Sequence, residues 1–248
     1  MKGKKIVLVT GAAGGIGTEV CRLFLNNGYK VVATHRPGKE EQAKSWLAQE
    51  KLDAQDIQLL ALDVSDHKAV SEVLGETLRE LGQIDVLVNN AGITRDATFK
   101  KMSWDQWQEV METNLNSLFS VTQPVFNQMC DQGFGRIINI SSVNGLKGQY
   151  GQVNYSAAKA GMIGFTKALA AEGARFGVTV NAVAPGYTGT PMVTAIREDV
   201  LDSIKATIPL KRLATTDEVA GAVLYLAGEY GGYVTGETLS VNGGLYMQ

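Results

Sequence analysis

Tyr155 and Lys159 stand four residues apart in the run Tyr155-Ser156-Ala157-Ala158-Lys159. In a helix that spacing puts both side chains on one face. A phenol has a pKa of ~10 and is almost wholly protonated at neutral pH. A cation about 4 Å away contributes on the order of 4 kcal/mol at an effective dielectric near 20. At ~1.4 kcal/mol per pKa unit, such a field lowers the phenol by up to ~3 units. Tyr155 can then exchange a proton with a carbonyl or alcohol oxygen. The same spacing also describes a surface pair worth a few tenths of a kcal/mol. With 8 Tyr and 15 Lys in the chain, roughly half a match arises by chance, so the pair needs companions.

A second constellation is Thr10-Gly11-Ala12-Ala13-Gly14-Gly15-Ile16-Gly17, between a β-branched run and a helical one. Glycines there let backbone approach a pyrophosphate, and a helix N-terminus offers unpaired N–H groups with partial positive charge. The spacing is G-x-x-x-G-x-G at Gly11, Gly15 and Gly17, not G-x-G-x-x-G, and no Gly-Lys-Ser/Thr follows to make a P-loop. A tight strand-to-helix turn also needs glycine. A dinucleotide requires a ribose contact at the end of the next strand, where an acid binds the 2′-hydroxyl of NAD. Here Val31-Val32-Ala33-Thr34 runs into His35-Arg36, with no carboxylate before Glu40. Arg36 attracts a 2′-phosphate that a carboxylate would repel, so the expected cofactor is NADP(H). The competing reading leaves Arg36 as a solvated loop cation.

These residues need a frame, and strand and helix patterns alternate from the start. Strands are expected over Lys5–Thr10, Lys30–Thr34, Ile57–Leu62, Asp85–Asn89, Arg136–Ser141, Val178–Ala184 and Thr238–Val241. Helices are expected over Gly15–Asn27, Glu40–Lys51, Asp66–Leu81, Trp104 to about Met129, Asn154–Arg175, Val200–Thr207 and Thr216–Ala227, with a kink or break at Pro124. Strands apolar on both parities and separated by helices predict a parallel sheet covered on both faces. The expected fold class is α/β, a single doubly wound sheet of about seven strands in one domain over residues 1–248.

Composition agrees. The chain has 248 residues, 45% of them apolar and 19% charged, which is ordinary globular material. A net charge of -2 leaves no basic excess for a nucleic-acid backbone. Cys21 and Cys130 form no disulfide framework or zinc motif, and His35 and His67 are too scattered for a transition-metal site. No apolar run is long enough for a signal peptide or membrane span, so a reducing cytoplasmic setting is expected.

Taken together, the motifs resemble those of the short-chain dehydrogenase/reductase family. The matching residues are Thr10–Gly17, Asp63-Val64, Asn89-Asn90-Ala91-Gly92, Asn114, Ser142 thirteen residues before Tyr155, the Tyr155/Lys159 pair, and Pro185-Gly186 with Thr190. They follow one order along nearly the whole chain. The resemblance implies a Rossmann-type fold and an NADP-dependent ketoreductase. Tyr155 would be the general acid, Ser142 the hydrogen-bond partner of the substrate oxygen, and Lys159 the group that lowers the tyrosine pKa and holds the nicotinamide ribose. Asn114 would fix a water linking Lys159 to solvent. For the cofactor, Gly11, Gly15, Ile16 and Gly17 would cradle pyrophosphate, with Thr190 reaching it. Asn89, Ala91 and Gly92 would line adenine and ribose, and Asp63 and Val64 would touch adenine. Pro185, Gly186 and Thr188 would flank the nicotinamide. Many NADP-using relatives carry Lys or Arg within the glycine turn, where this chain has Ala13 and Gly14, so the cofactor expectation leans on Arg36. A non-catalytic dinucleotide sensor on the same fold would not need Asn114, Ser142, Tyr155 and Lys159 all intact.

Three local runs are similar to the branch of acetoacetyl-CoA and 3-oxoacyl-acyl-carrier-protein reductases. They are Gly92–Asp96, Ser142–Gly145 with Gly148–Tyr155, and Asn242-Gly243-Gly244. By that likeness Gln149, Tyr150, Gln152 and Tyr187 would frame a short acyl chain and the start of a pantetheine arm, unless they simply line a mobile loop. The partner would be an acyl thioester of coenzyme A or of an acyl carrier protein. Lys100, Lys101, Arg136, Lys205, Lys211 and Arg212 would meet the phosphates of the first or the acidic surface of the second. The family likeness also implies a homotetramer, and apolar residues over Leu115–Met129 and Met162–Leu169 suit such contacts.

Overall fold

All strands of the sheet but the last carry apolar residues on both sides, so helices must cover both faces. The computed structural model describes residues 3–52, 55–195 and 197–247. Strands β1 (Ile6–Val9), β2 (Lys30–His35), β3 (Ile57–Ala61), β4 (Val86–Asn89), β5 (Gly135–Ile140), β6 (Val178–Pro185) and β7 (Thr238–Val241) form one sheet. Its order is β3-β2-β1-β4-β5-β6-β7, with every pair parallel. This is the doubly wound arrangement expected from the sequence.

Side-chain alternation divides the core. Val7, Val9, Val86 and Val88 pack on one face with Val20 and Phe24 of α1 (Gly15–Asn26), Trp46 of α2 (Glu40–Gln49), and Val223 and Leu226 further on. Ile6, Leu8 and Leu87 pack on the other with Val70 and Leu74 of α3 (His67–Leu81) and with Val121, Val125 and Met129. Asp66 caps α3 by accepting from the Ala69 N–H at 3.0 Å, and Gly82 ends it in a left-handed conformation.

The long helical stretch is not interrupted where the sequence suggested. It consists of α4 (Trp104–Met111), a π turn over Glu112–Asn116, and α5 (Ser117–Gln132), which runs through Pro124 without a break. The irregularity instead falls at Asn114, and such single π turns cluster at functional sites. Beyond β5 lie α6 (Val143–Lys147) and α7 (Val153–Gly173), the latter followed by a 3-10 turn over Ala174–Phe176. After β6 come α8 (Pro191–Thr194), α9 (Glu198–Thr207) and α10 (Thr216–Ala227). The short helices α6 and α8 carry too few turns to show periodicity in the sequence.

β1 pairs with β2 on one side and β4 on the other, because the chain first winds outward to β3 and then returns. The crevice at the carboxyl ends of strands at such a switch point is where open α/β sheets bind ligands.

Candidate active site

A cleft of about 750 Å³ opens at that switch point. The glycine turn, the end of β2, the segment after β4, the end of β5, the first part of α7 and the loop after β6 all contribute to its wall.

At one end the glycine turn leads into α1. Gly11 has φ +63°, a left-handed conformation that glycine adopts without strain. A Cβ on Gly17 would stand 2.4 Å from the Gly11 carbonyl oxygen and 2.9 Å from that of Ala12. Only glycine fits there, and the turn stays open to an incoming group. Asn90 braces the turn, its amide donating to the Thr10 and Gly11 carbonyls at 3.0 Å each. Arg36 and Lys39 border the same end beside Gln42, and among the described residues no carboxylate lines the cleft.

At the other end Ser142, Tyr155 and Lys159 converge. Lys159 is 3% exposed, and its ammonium donates to the Ile140 carbonyl at 2.6 Å. Burial pulls its pKa from 10.5 down to about 8. Its Nζ lies 5.6 Å from the Tyr155 ring centroid. The phenol does not become acidic as the sequence suggested. Burial raises its pKa and the Asp96 carboxylate adds to the rise, while a hydrogen bond with Ser142 works against both. A buried phenol held in its protonated form is nevertheless the form a general acid requires.

Gly11, Gly15, Ile16, Gly17, Arg36, Ala91, Gly92, Pro185, Gly186, Tyr187, Thr188 and Thr190 also line the cleft. Asn114 lies fully buried behind this wall. Its side chain accepts from the Ile93 N–H and donates to the Ile93 carbonyl, both at 2.8 Å.

Asn89 is not on the cleft surface. Its amide points inward, donating to Thr122 Oγ1 at 3.0 Å and Asn139 Oδ1 at 2.8 Å, while strand alternation turns Asn90 to the glycine turn. Val64 is buried, and the Asp63 carboxylate folds back on the Ser65 hydroxyl and N–H, with neither residue on the cleft wall. Gln149 accepts from Lys147 at 2.9 Å, Tyr150 is 86% exposed, and both Gln149 and Gln152 lie outside the lining. Lys39 and Val193 line the cleft without having been singled out by sequence, and Asn90, Ile93 and Thr94, present in the matching runs, line it without having been given a role. Lys39 had a readable signal, being a second cation close behind Arg36.

The lining fits a dinucleotide. A glycine turn that tolerates no Cβ meets a helix N-terminus at one end, and a phenol–lysine pair waits at the other. This chain belongs to the short-chain dehydrogenases, whose family pattern matches residues 5–201. Family membership implies a nicotinamide dinucleotide cofactor. It is 61% identical over 247 residues to the acetoacetyl-CoA reductase of an Acinetobacter species, covering 100% of both chains. It is 50% identical over 244 residues to the acetoacetyl-CoA reductase of Cupriavidus necator, covering 98% of this chain and 99% of that one. It is also 45% identical over 243 residues to the 3-oxoacyl-[acyl-carrier-protein] reductase FabG of Salmonella typhimurium, covering 98% of each.

Proposed function

We propose that this protein reduces a 3-oxoacyl thioester, best acetoacetyl-CoA, to the 3-hydroxyacyl thioester with NADPH. The observation that carries the reading is the meeting of Ser142, Tyr155 and Lys159 at one end of a cleft whose other end is the glycine turn. When bound, the nicotinamide supplies the hydride. The glycine-turn N–H groups and the α1 N-terminus hold pyrophosphate. Arg36 and Lys39 receive the 2′-phosphate, and two cations on the cleft wall favour NADP(H) over NAD(H).

The substrate carbonyl sits between the Ser142 and Tyr155 hydroxyls. Ser142 donates to the oxygen as negative charge grows there, and Tyr155 gives it the phenolic proton. The Lys159 ammonium stabilises the phenolate left behind, an interaction worth most in a water-poor site. Both polar ends of the Asn114 amide are engaged with Ile93. A water linking Lys159 to solvent is therefore better held by a main-chain carbonyl of the π turn.

The coenzyme A ester is favoured over the acyl-carrier-protein ester because few of the expected docking cations are free. Arg212 makes a two-pronged pair with Glu218 at 2.6 and 2.7 Å, and Lys205 meets Asp202 at 2.9 Å. Lys211 donates to the Ala206 carbonyl at 2.7 Å. Arg136 lies at the amino end of β5, away from the cleft, half-buried against Phe134. Lys100 and Lys101 remain, enough for phosphates but a small patch for an acidic protein. No helix among the described residues is long and apolar enough to cross a membrane; we read the protein as a cytoplasmic homotetramer. Within the expected contact helix Leu118, Val121, Val125 and Met129 face the sheet, and Phe119 at 52% exposure is left for a neighbour.

The test is steady-state kinetics with NADPH and NADH against acetoacetyl-CoA and an acyl-carrier-bound 3-oxoacyl substrate. The reading expects NADPH with acetoacetyl-CoA to give the highest kcat/KM. A higher value with the carrier-bound ester would select the second substrate, and no turnover with either would leave a dinucleotide-binding sensor.

A further inference from the structure

The segment after β4 and the loop entering α7 are fastened together beside the candidate catalytic residues. The Ala97 N–H donates to the Gly151 carbonyl at 2.9 Å. Asn154, fully buried, donates to the carbonyls of Arg95 at 3.1 Å and Gln106 at 3.0 Å, while its Oδ1 accepts from the Tyr155 N–H at 2.8 Å. A chain of side chains runs alongside. Gln152 Nε2 donates to Asp96 Oδ2 at 2.8 Å, and Gln152 Oε1 accepts from Asn144 Nδ2 at 2.9 Å. The Asn144 N–H donates to Ser142 Oγ at 3.1 Å. Among the described residues Asn144 Oδ1 is buried with no partner, and Gln152 is the one side chain that orients that amide. Gln152 stands at the residue just before α7, the helix that bears Tyr155.

Asp96, Gln152, Asn144 and Ser142 thus join the β4 segment, the start of α7, α6 and the end of β5. We propose that Asp96 is a positioning residue: its carboxylate anchors Gln152 and, through Gln152 and Asn144, fixes the gap between the Ser142 and Tyr155 hydroxyls. This deepens the ketoreductase reading and rests on it. Both ends of the Gln152 amide are engaged in this chain. A carboxylate suits the post. It accepts more strongly than a neutral oxygen and lies at the favourable N-terminal end of α7. Arg95 is tied to Glu109 at 2.6 Å and leaves the Asp96 charge in place. The phenol is faced by Ser142 from the end of β5, Lys159 from α7 and Asp96 from the β4 segment. The negative charge at Asp96 therefore favours the protonated phenol that reduction consumes.

The test compares wild type with Asp96→Ala, which loses both bond and charge, and Asp96→Asn, which keeps an acceptor for Gln152. Without substrate, hydrogen exchange at the Ala97 and Gln152 amides should quicken about tenfold in Asp96→Ala and stay near wild type in Asp96→Asn. With NADPH, Asp96→Ala should lower kcat/KM for acetoacetyl-CoA by about tenfold, mostly through KM, while the KM for NADPH stays within about twofold. Asp96→Asn should recover most of that loss. Exchange and kcat/KM both unchanged in Asp96→Ala would overturn the proposal, and so would an equal rise in the KM for NADPH. Failure of wild type to turn over acetoacetyl-CoA would sink the functional reading alone. The exchange comparison would still decide the clamp, with equal rates in Asp96→Ala and wild type counting against it.

Discussion

Lys159→Met removes a buried ammonium and keeps an unbranched side chain of similar reach. In the folded protein burial lowers the lysine pKa from 10.5 to about 8, so folding disfavours its charged form. At ~1.4 kcal/mol per unit, the difference costs about 3 kcal/mol of stability at neutral pH. The folded value is the lower one, so the unfolded chain binds the extra proton between about pH 8 and 10.5. Stability therefore rises with pH across that window, and the full cost applies below it. The lost bond to the Ile140 carbonyl offsets about 1 kcal/mol. Lys159→Met should thus be more stable than wild type by about 2 kcal/mol near pH 7, with the advantage shrinking by about 2 kcal/mol on going to about pH 9.5. Urea unfolding at both pH values and equal protein concentration measures this, and turnover of the variant should fall at least about a hundredfold. A variant less stable than wild type, with a difference that ignores pH, would refute the view that burial governs this lysine.

Three further outcomes are expected. Gly17→Ala forces a Cβ to within 2.4 Å of the Gly11 carbonyl, so calorimetry should show NADPH affinity falling by about ten- to a hundredfold while the far-ultraviolet spectrum is kept. Replacing Arg36 and Lys39 together by Ala should cut kcat/KM with NADPH by about tenfold or more and leave NADH within a few fold. The kcat/KM for reduction should fall above about pH 8, where Lys159 loses its proton; a profile level to about pH 10 would show that this charge is not needed.

Much of the fold was legible because all strands but β7 carry apolar residues at both parities and helices such as α1 and α3 show a clear period of their own. α10 and β7 have the bounds the sequence suggested, and Asn27-Gly28 closes α1 as expected. The π turn was not legible. It coincides with a tertiary contact, the two-way clasp of Asn114 on Ile93, whereas the sequence offered Pro124 as the visible breaker. The choice between neighbouring asparagines had a signal that went unused: alternation along β4 sends Asn89 inward and Asn90 toward the turn. The state of Tyr155 was hidden for another reason. A four-residue spacing gives proximity to Lys159, but burial and the Asp96 charge set the direction of the shift, and Asp96 is far away in sequence. The role of Gln152 depends on the same distant carboxylate.

The proton donor is the centre of the account, and Tyr155→Phe tests it with the loss of one oxygen atom. Single-turnover reduction of acetoacetyl-CoA by the NADPH-loaded variant should slow by about a thousandfold, while its NADPH dissociation constant stays within several fold of wild type. Reduction at a rate within about tenfold of wild type would mean that another group supplies the proton.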